Sequence, residues 1–401
     1  MEQIYLDNAS TSFPKPREVA EEVYAYMTGV GSNIGRGSYA SAYAAAEAVF
    51  NTRQLISDFF GAEDAKNVVF TKNITESLNV LLRGLLKAGD HVLVSALEHN
   101  AVMRPLQLLG RELQQGEEEP WDGISFSRIP CDNEGNLKLQ ELEKLLRPNT
   151  KAIVMTHASN VCGTVLPVAQ VGEFCQAHGL VFVLDSAQSA GVLPIDMQKL
   201  HIDALAFTGH KGLLGPQGIG GFVLREHMID KVKPFIVGGT GSLSHTERTP
   251  SFMPDKFEAG TLNLPGIMGL GAGLRWLQQR GLDEILQHEL ALTQQLLNGL
   301  LPLEEQGLVR IVGRRDCQQR IGVVSIGCGP AAKKDIAMLA HELAQGYGIA
   351  TRVGLHCAPN AHKTLGTYPT GTLRFSVGWQ NTSKDIDRAL VAIKEVLGHG
   401  V

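Results

Sequence analysis

Cysteines and long apolar runs are both scarce in this chain. Only six cysteines occur among 401 residues, and none forms a C-x-x-C pair or has the spacing of zinc ligands. We therefore expect reduced thiols rather than a disulfide framework, and no metal site. No apolar run approaches the ~18 residues that a membrane span requires. The first ten residues, MEQIYLDNAS, lack the basic and apolar regions of a secretory signal. These absences predict a cytoplasmic protein.

The chain also has no excess of positive charge. Its net charge of −5 offers no electrostatic basis for binding nucleic acid or an anionic membrane. Internal repeats and low-complexity tracts are missing as well. A hydrophobic content of 44% with 19% charged residues is typical of a globular protein with an ample core. A chain of 401 residues exceeds one ordinary domain, so we expect one large and one smaller domain.

Short apolar runs alternate with helical periodicity from about residue 67 onward. Between two of these runs, for example, Val168, Val171 and Cys175 recur at helical spacing. This βαβ rhythm predicts an α/β fold, with a mainly parallel sheet covered by helices on both faces. The predicted strands are NVVF (67–70), HVLVS (91–95), AIVM (152–155), VFVLD (181–185) and DALAF (203–207).

Long helical patterns take over around residues 268–300 and are followed by the strand candidates GVVSI (322–326) and LRFSV (373–377). A last helix is predicted after Ser383, which is a suitable N-cap residue. We therefore predict a large α/β domain over residues 16–267. Residues 1–15 and 268–401 are predicted to form a smaller α+β domain.

Polar residues follow the predicted strands of the large domain, where ligands collect in open α/β sheets. Lys211 lies just beyond DALAF, in FTGHKGLLGPQGIGG, and Asp185 ends VFVLD. A buried lysine or aspartate is costly unless it is paired or chemically changed. The other polar residues of these loops are Asn73, Thr75, His99, Asn160, Gln188, Thr208 and His210.

A planar, phosphorylated pyridine aldehyde would explain these loops together. Such a ligand needs an acid for its ring nitrogen, which Asp185 offers, and a flat partner for its face, which His99 offers. It also needs a lysine that forms a Schiff base, and Lys211 is the candidate. Thr75 at a helix start, with Thr208 and His210, could hold the phosphate.

The motifs over nearly the whole chain resemble those of class V aminotransferase-type enzymes, which are pyridoxal-phosphate enzymes of fold type I. Within that class the chain is most similar to cysteine desulfurases and selenocysteine lyases, because RVGLHCAP (352–359) is typical of that branch. The resemblance implies a mainly parallel, seven-stranded sheet in the large domain. The other supporting motifs are YLDNAST (5–11), SNIGRGSYA (32–40), THASNVCGTVLP (156–167), VLDSAQSAG (183–191), FEAGTLN (257–263) and TLRFSVGWQNT (372–382).

The resemblance implies a role for each site residue. Lys211 would carry pyridoxal 5′-phosphate, Asp185 would pair with its ring nitrogen, and His99 would stack on the ring. The contacts to the rest of the cofactor would come from Asn73, Thr75, Asn160, Gln188, Thr208 and His210. Thr261 would reach the phosphate of a neighbouring subunit, which implies a homodimer. Arg374 would bind the substrate carboxylate, with Asn33 and Arg36 on the substrate side.

Cys357, in HCAP, is the candidate nucleophile of this branch. The resemblance implies that it takes sulfur from L-cysteine as a persulfide, leaves L-alanine and passes the sulfur to an acceptor protein. Glycine and proline near Cys357 predict a loop that can move. The acceptor stays open among an iron–sulfur cluster scaffold, a thiolation carrier and a selenium pathway.

Five other functions stay open at this point. A selenocysteine lyase could share every residue named above, and a transaminase or a kynureninase-like lyase would not need Cys357. A nucleotide-binding dehydrogenase would use GGTGS or GPQGIGG as a phosphate loop, but neither opens the first βαβ unit. A scaffold protein without chemistry would tend to lose Lys211, Asp185 or Arg374, and all three are present.

Overall fold

The computed structural model describes residues 3–35, 37–113 and 122–398. The strands, in chain order, are β1 (Ile4–Tyr5), β2 (Val68–Thr71), β3 (His91–Ser95), β4 (Gly110–Glu112), β5 (Ile124–Ile129), β6 (Thr150–Thr156), β7 (Val181–Asp185), β8 (Ala204–Thr208), β9 (Gly220–Leu224), β10 (Val309–Val312), β11 (Val323–Cys328), β12 (Ile349–Ala350), β13 (Arg352–Gly354) and β14 (Thr372–Ser376). The α-helices are α1 (Arg17–Ala25), α2 (Ala40–Phe60), α3 (Ile74–Leu85), α4 (Asn100–Leu109), α5 (Leu142–Leu145), α6 (Val168–His178), α7 (Leu264–Arg280), α8 (Leu282–Glu305), α9 (Ile336–Tyr347), α10 (Pro359–Thr364) and α11 (Ser383–Gly398).

The largest sheet has the strand order β2-β9-β8-β7-β6-β3-β5-β4. Every neighbouring pair is parallel except the two pairs that involve β9. The mainly parallel sheet is therefore confirmed, but its described strands number eight instead of the predicted seven. The added strand, β4, has three residues and pairs with β5 at the edge, directly after α4. A stretch this short carries no periodic pattern that the sequence could reveal.

The central strands of this sheet are mostly apolar because both faces are covered. Phe182 and Leu184 of β7 pack in a core with residues of α2, α6 and α7. Val181 and Val183 of the same strand point to the opposite face, where α3 and α4 complete a second core. The continuous apolar runs in the sequence thus correspond to strands buried on two sides.

The C-terminal part has its own core between an antiparallel sheet, β10-β11-β14-β13, and the helices α8, α9 and α11. Ile4 and Leu6 join this core, and β1 pairs in parallel with β12. The predicted boundary at 267 falls inside α7, and Ile267 and Met268 both pack in the first core. The division into the predicted domains stays a prediction.

The last helix begins one residue earlier than predicted. Ser383 is the first helical residue rather than the cap, and the hydroxyl of Thr382 accepts a hydrogen bond from Asp385 N at 3.3 Å. In the described ranges, no helix combines the length and apolar content needed to span a bilayer.

Candidate active site

The candidate site lies at the carboxyl ends of neighbouring parallel strands. Asp185 is the last residue of β7 and pairs in register with Thr156 of β6. Thr208 ends β8, the next strand along the sheet. His99 follows β3 and Asn160 follows β6. The strands therefore bring to one edge the polar loops that the sequence singled out.

Asp185 is buried, with 2% of its surface exposed. One carboxylate oxygen accepts a hydrogen bond from Ala187 N at 2.9 Å. Burial raises the pKa of Asp185, while the Ala187 N–H and the charge of Lys211 act in the opposite direction. A cationic N–H beside this carboxylate, such as that of a protonated pyridine ring, would stabilise its ionised form.

Lys211 follows β8 by three residues and is half-buried as a residue. Burial lowers the pKa of its amine to about 8, although Asp185 opposes the shift. Gly191 and Gly212 allow the backbone segments after Gln188 and after Lys211 to come into direct contact. Gly191 has φ +82°, and a Cβ there would lie 2.2 Å from Gly212 O. This contact packs the segment after Lys211 against the loop of Gln188, whose amide donates to Ala9 O at 3.0 Å.

His99 is the N-cap residue of α4. Its Nδ1 accepts a hydrogen bond from Ala101 N at 3.0 Å, so the proton of the neutral ring is on Nε2. Burial lowers the pKa of His99 to about 4, helped by the positive charge of Lys211. A neutral, oriented imidazole is suited to stacking on a planar ring.

Two predicted phosphate ligands have polar atoms that lack partners. Thr208 Oγ1 and His210 Nδ1 are both buried and form no hydrogen bond with any described residue. The start of α3 lies close by, because a Cβ on Gly220 would be only 2.9 Å from Asn73 Cα, and Gly220 pairs with Thr208 across the sheet. Thr75, in the first turn of α3, is exposed. The Asn73 side chain accepts from Glu76 N at 3.0 Å and so serves as the helix cap.

These features fit a phosphorylated pyridine aldehyde. Thr208 and His210 have buried polar atoms without hydrogen-bond partners among the described residues. Thr208 pairs with Gly220, which lies against the start of α3, where backbone N–H groups favour an anion. A buried acid ends β7, and a lysine with a lowered pKa follows the neighbouring strand β8. The residues present therefore suit pyridoxal 5′-phosphate.

The segment of Cys357 is anchored to the loops after β3 and β6. Asn100 N donates to Cys357 O at 2.8 Å, and Asn160 Nδ2 donates to His356 O at 2.7 Å. His356 and Cys357 both have left-handed backbone conformations, with φ of +47° and +56°. The thiol is exposed. The loop that was expected to move thus accepts hydrogen bonds at two successive carbonyl groups, and its mobility stays a prediction.

Arg374 lies on β14 and is 2% exposed. Its Nη1 donates to Asn160 O at 3.0 Å, and its Nη2 contacts Asp7 Oδ1 at 3.0 Å and Ser10 Oγ at 2.8 Å. Its Nε is buried with no partner among the described residues. Sequence reasoning missed the ion pair with Asp7, although Asp7 stands in the YLDNAST motif. Burial lowers the pKa of Arg374, and the Asp7 carboxylate opposes the shift.

Glu98 is another buried group that sequence reasoning missed, although it precedes His99 in the chain. Its carboxyl accepts hydrogen bonds from Thr156 N at 2.9 Å and from the Ser95 hydroxyl. Burial raises the pKa of Glu98 to about 8. This carboxyl fixes the loop of His99 to the ends of β3 and β6.

Thr261 and Asn33 lie apart from these residues. Both are exposed and line one surface groove of about 520 Å³ together with Arg53 and Glu258. No hydrogen bond of the described residues joins either to Lys211, Asp185 or Cys357. Arg36 lies outside the described residues, so its predicted role on the substrate side stays a prediction. The roles assigned to the other site residues likewise stay predictions.

The fold and the site together define a pyridoxal-phosphate enzyme of fold type I. Residues 4–389 match the family described as "Aminotransferase class-V". The chain belongs to the class V aminotransferase family, which confirms the resemblance inferred from its motifs.

Two similar proteins and one solved structure carry the name of the same activity. A probable cysteine desulfurase of Pyrococcus abyssi is 33% identical over 402 residues, covering 99% of this chain and 94% of that protein. A cysteine desulfurase of Escherichia coli O157:H7 is 31% identical over 402 residues, covering 98% of this chain and 93% of that protein. The solved apo structure of the cysteine desulfurase from Thermococcus onnurineus NA1 is similar with a TM-score of 0.89 at 33% identity, covering 99% of this chain and 95% of that one.

Proposed function

We propose that the protein is a pyridoxal-phosphate-dependent cysteine desulfurase, which converts L-cysteine to L-alanine and transfers the sulfur to Cys357 and then to an acceptor. One chain of contacts supports this most directly. Arg374 donates to the Asn160 carbonyl, and the Asn160 amide donates to the carbonyl of His356, beside Cys357. A residue suited to a carboxylate and a nucleophilic thiol are thereby tied to the edge of the sheet that carries Asp185 and Lys211.

Different residues of the chain are assigned to different parts of the reaction. The cofactor, when bound, supplies an electron sink that weakens bonds at the α-carbon of the substrate. Arg374 orients the substrate carboxylate, and Lys211, with a pKa of about 8, exchanges the α-proton at neutral pH. Asp185 would hold the cofactor at its ring nitrogen, and His99 would hold it at the face of the ring.

Sulfur transfer is assigned to Cys357. Its thiolate attacks the sulfur of the substrate, so that an S–S bond forms while the carbon–sulfur bond breaks. The electron pair of the broken bond stays with the three-carbon fragment, which becomes alanine after protonation. The product on the enzyme is a persulfide at an exposed position, where an acceptor protein can reach it.

The proposal is tested by the visible absorption spectrum of the purified holoprotein before and after addition of L-cysteine. Alanine and sulfide are assayed together in the presence of dithiothreitol, which reduces the persulfide and releases its outer sulfur as sulfide. We expect a yellow protein whose absorption band shifts as both products appear in equal amounts. The Lys211→Ala variant is the control and should form neither product. Cofactor binding without sulfide, but with selenide from L-selenocysteine, would indicate a selenocysteine lyase. A protein that stays colourless after reconstitution with pyridoxal phosphate would refute the proposal.

The enzyme is further proposed to work as a homodimer with shared sites. Thr261 lines the groove of about 520 Å³ and also a neighbouring one of about 200 Å³. Phe50, in the first groove, and Ile236, in the second, are large apolar side chains that are 56% and 40% exposed. Further exposed apolar residues of this part of the chain are Tyr24, Met27, Tyr39, Tyr43, Phe235, Val237, Leu243 and Phe252. A second copy that covers these residues would bring Thr261 to its partner's phosphate site.

Mixing two variants tests the shared site. Thr261→Ala should lower activity about tenfold, the value of one hydrogen bond to a charged group, and Lys211→Ala should be inactive. In a hybrid dimer one site has both Lys211 and Thr261. Co-refolding equal amounts should therefore restore about a quarter of wild-type activity, since half of the dimers are hybrids with one intact site each. Activity no higher than the average of the two separate variants would show that each site is built within one chain.

A further inference from the structure

A buried ion pair forms part of the walls of the two surface grooves that Thr261 lines. Arg53 of α2 and Glu258 are 6% and 9% exposed. Nη1 of Arg53 donates to Glu258 Oε1 at 2.8 Å, and Nη2 donates to Glu258 Oε2 at 2.5 Å. Glu258 lines both grooves, and Arg53 lines the larger one. The roles proposed above assign no task to either residue.

The pair is also joined to β2. Glu258 Oε1 accepts a second hydrogen bond from Phe70 N at 2.6 Å, and Arg53 Nη1 also donates to Val68 O. The Cζ atom of Arg53 lies 4.5 Å from the centroid of the Phe70 ring. Burial raises the pKa of Glu258, while the charge and the hydrogen bonds of Arg53 act in the opposite direction. The carboxyl of Glu258 is thus held by N–H groups that belong to α2 and to β2.

A pair of this kind is better suited to fixing a position than to adding stability. Burial of two charges costs free energy that their attraction does not always offset. A planar guanidinium and a carboxylate that meet through two hydrogen bonds, however, have one favoured geometry. Glu258 lies three positions before Thr261, and Asn263, two positions after it, donates from Nδ2 to Gly218 O at 2.8 Å. Thr261 therefore lies between two anchored residues, although it is itself exposed.

We infer that the Arg53–Glu258 pair holds the segment of Thr261 in the position from which the Thr261 hydroxyl reaches the cofactor phosphate of the neighbouring subunit. The pair thereby raises the affinity of that subunit for the cofactor without touching the cofactor. Arg53 and Glu258 act only through Thr261 and are positioning residues. This inference rests on the shared site proposed above, to which each subunit contributes its Thr261.

The test compares the dissociation constants of pyridoxal phosphate and of pyridoxal, which lacks the phosphate, by absorption titration of the full-length protein freed of cofactor. In Glu258→Gln the amide oxygen can still accept a hydrogen bond, but the amide NH₂ group faces a guanidinium donor and the ionic pairing is lost. We expect the affinity for pyridoxal phosphate to fall about tenfold, the value of one hydrogen bond to a charged group, and the affinity for pyridoxal to stay unchanged. Wild-type affinity for pyridoxal phosphate, or equal losses for both ligands, would overturn the inference.

A double-mutant cycle shows whether Glu258 acts through Thr261. Thr261→Ala should weaken binding of pyridoxal phosphate by a similar factor, and the double variant should bind no more weakly than Thr261→Ala alone. A further loss in the double variant would overturn the inference. If Thr261→Ala binds like the wild type, the proposed shared site itself fails, whereas wild-type binding in Glu258→Gln alone leaves the shared site standing. Since no L-cysteine is used, the result does not depend on the desulfurase activity.

Glu304 provides the matched control. Its two carboxylate oxygens accept from Arg315 Nη2 at 2.9 Å and Nε at 2.7 Å, and Oε1 also accepts from Ile311 N at 2.8 Å. Glu304→Gln breaks this similar pair in the C-terminal part and should bind pyridoxal phosphate like the wild type, so an equal loss there would overturn the inference.

Two further measurements keep the test decisive. Sedimentation should show the same oligomeric state for Glu258→Gln and the wild type. Dissociation of the variant into single chains would overturn the inference, because loss of the partner by itself removes its Thr261. If Glu258→Gln does not fold, Arg53→Lys keeps the charge of the pair but loses the two-pronged contact. It should bind pyridoxal phosphate several-fold more weakly, and unchanged affinity in that variant would then overturn the inference.

Discussion

The Cys357→Ser variant is expected to bind the cofactor like the wild type and to lose sulfur transfer by roughly 10³-fold or more. A hydroxyl replaces the thiol at the same backbone position, so the hydrogen bonds to the carbonyl groups of His356 and Cys357 can persist. A serine hydroxyl is not ionised at neutral pH and cannot hold a persulfide. The measurement is alanine and sulfide production from L-cysteine, with persulfide on the protein detected by mass spectrometry.

Cys328 provides the matched control for this variant. It is the other exposed cysteine among the described residues and lies at the end of β11, where its thiol contacts Lys334 O at 3.2 Å. Cys328→Ser should retain full activity and the persulfide. If the Cys357→Ser variant carried a persulfide on Cys328, or desulfurated L-cysteine at the wild-type rate, Cys357 would not be the nucleophile.

The Asp185→Asn variant is expected to lose activity while its apoprotein gains stability. The amide can still accept the hydrogen bond from Ala187 N, but it cannot pair ionically with a protonated ring nitrogen. We expect kcat/KM to fall by roughly 10²- to 10³-fold, as when one preorganised electrostatic contact is removed. Steady-state kinetics with saturating pyridoxal phosphate measures this loss.

The gain in stability depends on pH in a defined direction. Burial raises the pKa of Asp185 above its ordinary value of 3.8. The folded wild-type apoprotein therefore holds its proton more tightly than the unfolded chain and loses stability as the pH rises above about 4. The asparagine does not titrate, so the free energy of unfolding of the variant should exceed that of the wild type at pH 8 and converge with it towards pH 3. Urea unfolding of both apoproteins across this range gives the comparison.

Asp203 is a suitable control because it is also nearly buried, with 9% exposure, but lies just before β8. Its carboxylate accepts from Phe182 N at 2.8 Å and lies 2.9 Å from His227 Nε2. Asp203→Asn should weaken the fold and leave kcat unchanged. An Asp185→Asn enzyme with wild-type kcat/KM would contradict the role proposed for Asp185.

The large sheet and the polar edge could be predicted because both depend on local patterns. The runs HVLVS and VFVLD are strands over the predicted residues, since strands buried on both faces are apolar throughout. Asp185 and His99 stood out because charged or titratable side chains at the end of such runs, or a few residues beyond them, are unusual. The same reasoning could not predict β4, because its three residues are a strand only through their pairing with β5.

Contacts between distant parts of the chain could not be predicted in this way. Asp7 meets Arg374 across 367 positions because β1 pairs with β12 and Asp7 itself forms a bridge to Ser376. Glu98 likewise could not be recognised as a buried carboxyl, because the backbone N–H that it accepts from belongs to Thr156, 58 positions away on β6.

The backbone of His356 and Cys357 also carries a consequence for protein engineering. Each non-glycine residue in the left-handed region costs roughly 1–2 kcal/mol, and these two stand in succession at φ of +47° and +56°. Glycine would relieve that cost at either position. A screen for thermal tolerance alone would therefore favour variants that erase the proposed nucleophile. A selection for higher thermal stability of this enzyme therefore has to include a selection for catalytic turnover.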